Sequence, residues 1–146
     1  EERGQSEAIA RNLAVMSELK TPIIVVITGE GGSGGALAIS VGDHLSMLEY
    51  ATYSVASPEA CASIIWRTAE KAPDAADAMK VSSSELKKIN IVDEIISEPL
   101  GGAHRDYDLI SQSIKDSIVS SLSKLSSLSS DDLVKRRYER LLAIGS

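Results

Sequence analysis

Hydrophobic positions along this chain follow two patterns, helical spacing and short unbroken runs. Between Gln5 and Lys20 apolar residues recur three or four positions apart, which predicts an amphipathic helix. Pro22 cannot lie within that helix, and the apolar run 23–28 behind it predicts a buried strand. Strands and helices that alternate in this way are typical of an α/β fold with a parallel sheet.

The alternation continues to about residue 105. Ser57-Pro58 begins a helix, since proline suits the first helical turn, and Ser82 with Glu85 forms a capping box. The other expected elements are strands over 45–48, 53–56 and 91–96, and helices from Pro73 to Met79 and from Ser82 to about Lys88.

The segment 106–146 has a different pattern. An apolar stripe at helical spacing runs from Tyr107 to Leu125, and a second helix begins at Asp131-Asp132 after a serine-rich break. We therefore divide the chain into a core over 1–105 and a C-terminal helical extension over 106–146. Arginines of the second helix are expected on a solvated or subunit-contacting face; they are Arg136, Arg137 and Arg140.

The most informative segment joins the strand at 23–28 to a short helix, and it holds five glycines in the seven residues 29–35. Glycine has no Cβ, so a bound group can come close to the backbone there. The first N–H groups of a helix lack intrahelical partners, and the helix dipole favours negative charge beside them. The segment predicts a site for an anion, or for an oxygen that becomes anionic during a reaction.

Two familiar motifs overlap on these glycines. Gly29-x-Gly31-x-x-Gly34 matches the dinucleotide fingerprint, with Glu49 about twenty residues on as a ribose ligand. The helix behind it spans only about two turns before Gly42-Asp43, which is short for that kind of crossover, so we rank this interpretation third.

Gly31-x-Ser33-x-Gly35 fits a hydrolase nucleophile elbow, with Asp93 and His104 following in the order Ser, Asp, His. Such an order arises by chance in most chains of this length, and Ser33 is better explained as a small residue among glycines. His104 lies in a loop of its own, where a histidine is more often a surface or binding residue than a base.

The third interpretation uses the glycines as backbone donors. Consecutive N–H groups at Gly34 and Gly35 would point at an oxyanion, as in acyl-CoA chemistry that passes through an enolate. The flanking sequence selects this interpretation, since its order of motifs resembles the core of the crotonase superfamily. Those motifs are Lys20-Thr21-Pro22, the apolar strand, the glycine segment, Gly42-Asp43 and Ser57-Pro58-Glu59.

Longer segments resemble one family in that superfamily, the carboxyltransferase α subunit of acetyl-CoA carboxylase. They run in order along the chain, at 1–13, 29–43, 53–66, 71–73, 95–105, 132–133 and 136–141. The resemblance implies a crotonase-like α/β fold, the spiral of ββα units shared with ClpP, and it identifies the chain as the C-terminal part of such a subunit.

The resemblance also implies the chemistry. The family transfers a carboxyl group from carboxybiotin, held on a separate biotin carboxyl carrier protein, to acetyl-CoA, which gives malonyl-CoA for fatty-acid synthesis. Biotin is then the cofactor, and none is bound covalently to this chain. Gly34 and Gly35 correspond to the catalytic donors to the biotin ureido oxygen. The expected substrate-binding residues are Gly31, Gly32, Ser33, His104 and Arg105. Arg105 either binds an anionic group of the substrate or is a solvated loop residue.

The partners that follow are a β subunit with a zinc ribbon, the carrier protein and acetyl-CoA or malonyl-CoA, in an α2β2 hetero-oligomer. Because the family assembles from two kinds of subunit, we favour a partner subunit over the chain's own core as the surface on which the C-terminal helices pack. The expected compartment is the bacterial cytoplasm or the plastid stroma. Two alternatives stay open. One is a hydratase or isomerase that uses Glu59 as acid and base, where Glu59 otherwise stabilises a helix start. The other is an inactive partner-binding fragment.

Composition excludes several classes. A length of 146 residues suits a single domain. Its core is expected to be aliphatic because Phe is absent. Its apolar runs are shorter than the roughly 20 residues of a membrane span, and no leader pattern is visible. Cys61 is the one cysteine, which excludes an internal disulfide and a cysteine-based zinc site. A net charge of −6 argues against a nucleic-acid surface.

Overall fold

The computed structural model describes residues 2–144 and contains helices and strands in alternation. The strands are β1 (Ile24–Ile27), β2 (Glu30–Gly32), β3 (His44–Leu48), β4 (Thr52–Ser54) and β5 (Glu94–Ile96). The helices are α1 (Gln5–Glu18), α2 (Ser33–Ile39), α3 (Pro58–Trp66), α4 (Ala72–Ala78), α5 (Ser83–Lys88), α6 (Tyr107–Leu125) and α7 (Ser130–Leu142). None of the helices within 2–144 is both long enough and apolar enough to span a membrane.

The strands form two parallel sheets, which confirms the α/β prediction. One sheet has the order β1-β3-β5, and the other pairs β2 with β4. In the larger sheet Val25 lies opposite Leu45, and Met47 lies opposite Ile95. Such apolar strands are stable only when both faces of the sheet are covered.

Local signals placed most elements within a few residues of their observed bounds. The Ser57 side chain accepts a hydrogen bond from the Ala60 N–H at the start of α3, and Ser82 accepts one from the Glu85 N–H at the start of α5. Each hydroxyl therefore satisfies an amide that the helix itself leaves unpaired. Among the strands of residues 2–144, β2 is the one that the apolar pattern did not predict, because two of its three residues are glycines.

The hydrophobic core lies around the three-stranded sheet. Met47 and Leu48 of β3 are fully buried, and Ile110 of α6 belongs to the same cluster. Leu125 at the end of α6 and Leu133 in α7 are also buried. The expectation that the C-terminal helices pack on a partner subunit is therefore wrong for these buried residues, which other parts of this chain cover.

A buried ion pair joins α7 to the start of the sheet. Arg137 and Asp43 both have side chains with 0% exposure, and their Nη2 and Oδ2 atoms lie 2.8 Å apart. The guanidinium also donates to backbone carbonyls at and beyond the C-terminal end of α1; the acceptors are Met16, Ser17, Leu19 and Thr21. Asp43 in turn accepts a hydrogen bond from the Ile23 N–H just before β1. The prediction of a solvated or subunit-contacting Arg137 is wrong, because its charge is neutralised and hydrogen-bonded within the fold.

One turn further along α7, Arg140 repeats this arrangement. Its Nη2 lies 2.7 Å from Oδ2 of Asp93, and Asp93 accepts a hydrogen bond from the Leu45 N–H of β3. Arg140 is only 12% exposed, so its prediction is wrong as well, whereas Arg136 is exposed and donates to the Asp43 carbonyl. Asp43 and Asp93 precede β3 and β5, so these pairs fasten α7 to the amino-terminal edge of the sheet.

Candidate active site

The glycine segment lies at the opposite, carboxyl-terminal edge of the sheet, directly after β1. The Gly29 carbonyl accepts a hydrogen bond from the Thr52 N–H at 3.0 Å, and β2 then pairs in parallel with β4. Gly31 lies opposite Tyr53 in that register. In open α/β sheets ligands bind at the carboxyl ends of the strands, so the fold places this segment where a binding site is expected.

A sharp change of direction separates β2 from α2. Gly32 is extended, with φ of −144°, and Ser33 then takes a left-handed conformation with φ of 59°. A non-glycine residue in this region is uncommon and is often held at a functional turn. The turn brings the N-terminal end of α2 back against the strand that precedes it.

Gly34 and Gly35 occupy the first turn of α2. No side chain caps this helix, and the N–H groups of a first turn have no intrahelical acceptor. A Cβ atom placed on either glycine would meet nothing within 4 Å. Packing within the chain therefore does not require glycine at these two positions, and space is left beside the backbone for a bound group.

Cavities flank the glycine strand on both sides. One, of about 440 Å³, is lined by Thr28, Glu30, Ser40 and Tyr53 among others. The other, of about 450 Å³, includes Ser33, Thr52 and Ser57 in its lining. Gly31 and Gly32 line both cavities, and a recess of about 80 Å³ lies at Gly34 between Leu37 and Val55. The structure thus brings together Gly31, Gly32, Ser33 and Gly34 on one accessible stretch of backbone, with Gly35 next in α2.

His104 and Arg105 lie elsewhere, in an exposed turn after β5. Neither lines the cavities at the glycine strand. Their turn leaves the same carboxyl-terminal edge of the sheet, with β3 between β5 and β1. At the usual spacing of about 4.8 Å between neighbouring strands, β5 and β1 lie roughly 10 Å apart at this edge. The two residues remain candidates for contact with a substrate that extends away from the glycines.

Glu98 holds this turn in place, a role that no pattern in the sequence indicated. Its side chain accepts hydrogen bonds from the Ala103 N–H and the Tyr50 N–H, each at 2.7 Å. Glu49 accepts the Glu98 N–H at 3.2 Å. The side chain proposed as a ribose ligand in the dinucleotide interpretation is therefore engaged with backbone, and the glycines form a strand in place of a tight phosphate loop.

The surroundings of Asp93 contradict the hydrolase interpretation. A nucleophile elbow needs an acid that orients the base. Asp93 is instead bound to Arg140 and to the Leu45 N–H at the amino-terminal edge of the sheet. Ser33 lies beyond the carboxyl-terminal end of β1, so the three residues of the supposed triad do not form a unit.

Glu59 does not contribute to the glycine cavities. It lies exposed in the first turn of α3 and lines none of the three spaces described above. Its position fits an acid that stabilises the helix start through the dipole.

A partly buried polar cluster lies beneath the sheet. The Glu94 Oε2 accepts a hydrogen bond from Ser117 at 2.7 Å and lies 3.3 Å from the His44 Nε2, while Ser46 lies 2.9 Å from Ser117. Burial raises the pKa of Glu94, but the hydrogen bonds from Ser117, His44 and Ser46 outweigh it and leave this pKa below its ordinary value.

Within 2–144 no group of three or more His, Cys, Asp or Glu side chains could hold a metal ion.

Comparison with known proteins decides between the interpretations. Residues 1–145 match the family model described as acetyl co-enzyme A carboxylase carboxyltransferase-like. The chain belongs to that family. Relatives in the carboxyltransferase-like family include the acetyl-coenzyme A carboxylase carboxyl transferase subunits alpha of Alcanivorax borkumensis, 61% identical over 100% of this chain, and of Photorhabdus laumondii, 61% identical over 99%.

The chain spans about half the length of these relatives, 45% and 46% respectively. These shares do not support the expectation that the chain is the C-terminal part of such a subunit.

Solved structures show the same fold at low sequence identity. The transcarboxylase 12S structure matches with a TM-score of 0.65 and 20% identity, over 85% of this chain and 24% of the other. A Pseudomonas malonate decarboxylase hetero-tetramer in complex with coenzyme A matches with a TM-score of 0.56 and 15% identity, over 76% of this chain and 48% of the other. The crotonase-like fold class predicted from the sequence is confirmed.

Proposed function

We propose that this chain is part of the carboxyltransferase α subunit of a multi-subunit acetyl-CoA carboxylase. The reaction would move a carboxyl group from carboxybiotin, on a separate carrier protein, to acetyl-CoA, giving malonyl-CoA for fatty-acid synthesis. Membership of the carboxyltransferase-like family over residues 1–145 supports this proposal. The observation that carries the site is the uncapped first turn of α2, open to solvent beside Gly34 and Gly35.

In this proposal the N–H groups of Gly34 and Gly35 donate to the ureido oxygen of biotin. Bound carboxybiotin supplies the carboxyl group that is transferred. The chain contributes backbone donors that are already oriented, and such donors stabilise charge that develops on an oxygen without reorganising during the reaction. The absence of packing against either glycine fits a flat group that must approach the backbone closely.

The substrate-binding surface would include the strand beside these donors. Gly31 and Gly32 line the cavities on both sides of β2, and Ser33 forms the turn between strand and helix. His104 and Arg105 are proposed to contact an anionic group of the acyl-CoA or the carboxybiotin, since a guanidinium at an exposed turn binds carboxylate or phosphate well.

The proposed partners are a zinc-ribbon-containing β subunit, the biotin carboxyl carrier protein and acetyl-CoA or malonyl-CoA. An α2β2 assembly in the bacterial cytoplasm is proposed, since the relatives named above are bacterial proteins. The second oxyanion site, for the thioester, would lie on the β subunit. Neither subunit is then expected to be active alone.

The test uses the full-length α subunit mixed with its β subunit and follows malonyl-CoA decarboxylation with free biotin as the acceptor. Turnover that requires both subunits and biotin is the expected result. Conversion of an enoyl-CoA by the α subunit alone, without biotin, would overturn the proposal and return attention to Glu59. Assembly of the two subunits without any turnover would also overturn the proposal and would favour a partner-binding role without catalysis.

A further inference from the structure

The contact between Gly31 and Tyr53 is the tightest that any described glycine makes. A Cβ atom placed on Gly31 would lie 2.8 Å from Cδ2 and 3.6 Å from Cε2 of the Tyr53 ring. Real Cβ atoms do not approach other carbons to 2.8 Å, so the ring lies directly on the backbone of β2. Gly31 must be glycine because of this ring, whereas Gly34 and Gly35 have open space beside them.

Tyr53 is itself held firmly by the rest of the fold. It packs against the hydrophobic core cluster, and its N–H donates to the Val81 carbonyl at 2.9 Å. The contacting carbons belong to a rigid ring near the start of the side chain, so moving them away requires rotation of the whole side chain. The ring therefore supports the backbone of β2 at Gly31.

The strand that rests on the ring has little else to hold it. Strand β2 has three residues, pairs with β4 alone, and consists mainly of glycine, which packs no side chain. Cavities lie along it on both sides. The position of this strand nevertheless decides where α2 begins, because Ser33 follows it directly.

We propose that Tyr53 is a positioning residue. Its ring contacts Gly31 and fixes the position of β2, and the position of β2 in turn orients the N–H groups of Gly34 and Gly35. The proposal rests on the function proposed above. Tyr53 also lines the 440 Å³ cavity beside β2 and the recess at Gly34, so the same ring shapes the space beside these amides.

The first experiment compares variants of the full-length α subunit, reconstituted with the β subunit, in biotin-dependent malonyl-CoA decarboxylation. Tyr53→Ala is expected to lower kcat on the order of 10- to 100-fold, because small misplacements of catalytic groups have effects of that size. The KM for malonyl-CoA should stay within about twofold, as for an interaction made in the transition state. Tyr53→Phe keeps the contacting carbons and should restore kcat.

Tyr50→Ala is the matched control. Tyr50 is 56% exposed and lines none of the cavities at the glycine strand, and the hydrogen bond it makes to Glu98 comes from its backbone. This variant should keep the kcat of the wild type. An assembled Tyr53→Ala enzyme with wild-type kcat would overturn the proposal, and so would a Tyr53→Phe enzyme as slow as Tyr53→Ala.

A double-variant cycle tests the contact directly. Gly31→Ala should lower kcat, since its methyl group must displace the ring or the strand. In the Tyr53→Ala background the same change should have little further effect, because the clash is gone. If the decreases in kcat of the two single variants multiply in the double variant, the proposal is overturned. If Tyr53→Ala fails to assemble, Tyr53→Leu serves in the same cycle. Absence of biotin-dependent turnover in the wild-type complex would reject the proposed function. An active wild type whose kcat is unchanged by the substitutions at Gly31 and Tyr53 would reject only the role of Tyr53.

Discussion

At the scale of single residues, the glycines of this protein have different reasons to be glycine. Gly31 is required by a neighbouring ring, and a Cβ atom placed on Gly42 would lie 3.0 to 3.4 Å from atoms of Val25 and Ile23. Gly34 and Gly35 have no such neighbour. Requirements of folding and requirements of ligand approach can therefore be separated by substitution.

Gly34→Ala should separate them most clearly. Alanine favours a helix over glycine by roughly 1 kcal/mol, so the thermal midpoint of the variant should be unchanged or slightly higher. The added methyl group stands where the bound substrate is proposed to approach, and kcat should fall on the order of 100-fold. Thermal unfolding and decarboxylation kinetics of the reconstituted enzyme measure the two effects. Unchanged kcat in this variant would remove Gly34 from the proposed site.

The buried pair of Arg137 and Asp43 allows a second prediction. Arg137→Met leaves the Asp43 carboxylate buried without its partner, and the free energy of unfolding should fall by about 3–5 kcal/mol. Adding Asp43→Asn removes the stranded charge and keeps an acceptor for the Ile23 N–H, so the double variant should lose less than the sum of the single variants. Urea unfolding measures all three.

Arg136→Met is the control for this set. Arg136 is the exposed neighbour and makes one hydrogen bond, to the Asp43 carbonyl, so its loss should amount to about 1 kcal/mol or less. Equal losses for Arg136→Met and Arg137→Met would show that burial of the charge is not the source of the effect.

Glu94 gives the stability a pH dependence with a definite sign. Its pKa in the folded state lies below the ordinary value of about 4.3, so the ionised form stabilises the fold at neutral pH. That contribution is lost as the pH falls through the folded-state pKa. The stability difference between the wild type and Glu94→Gln should therefore shrink as the pH falls below the ordinary carboxyl pKa of about 4.3. Ser117→Ala, which removes the 2.7 Å hydrogen bond, should weaken the same dependence. A difference that stays constant with pH would contradict this account.

At the scale of elements, local chemistry predicted more than long-range contacts did. Caps at Ser57 and Ser82 and the apolar runs identified helices and strands, because their causes lie within a few residues of sequence. The surroundings of Arg137 were predicted wrongly, since its partner Asp43 is 94 residues away and a charged helical position ordinarily faces solvent.

The site divides in the same way. The sequence was enough to propose glycines as backbone donors. The contact between Tyr53 and Gly31 could not be predicted, because it depends on a pairing of strands that no spacing in the sequence reveals. Glu98 was missed for a similar reason, as its side chain acts on backbone of its own turn and of a segment 48 residues earlier.

Helix α7 offers a prediction at this scale. Ending the chain before Ser130 removes Arg137 and Arg140 together, and it leaves Asp43 and Asp93 without their partners. The loss should be larger than either single substitution, and the shortened protein should unfold at a markedly lower temperature. Circular dichroism during heating measures this. A shortened protein as stable as the intact chain would mean that α7 is a passive addition.

At the scale of the whole molecule, the two edges of the larger sheet have different tasks. The amino-terminal edge is fastened by two arginines of one helix, and the carboxyl-terminal edge leads into the glycine strand and the turn at His104. Stability and proposed chemistry are thereby placed at opposite ends of the same strands, which is an arrangement common to parallel sheets.

This separation predicts how substitutions should sort. Arg140→Met at the amino-terminal edge should lower the thermal midpoint while leaving the kcat of the assembled enzyme near that of the wild type. Arg105→Met at the other edge should raise the KM for malonyl-CoA with little change in stability, since Arg105 is exposed. Measuring both quantities for both variants tests the division. A stability loss from Arg105→Met, or a loss of kcat from a stably assembled Arg140→Met enzyme, would contradict it.

The bond between Asp43 and Arg137 also sets an order of events during synthesis. The ribosome adds roughly 5–20 residues per second, so the 94 residues between these partners take on the order of 5 to 20 s to appear. During that interval β1 and β3 have been made, but the carboxylate between them has no cation and stays hydrated. We therefore expect the sheet to close only after α7 has been made, and until then its apolar strands are open to binding by chaperones.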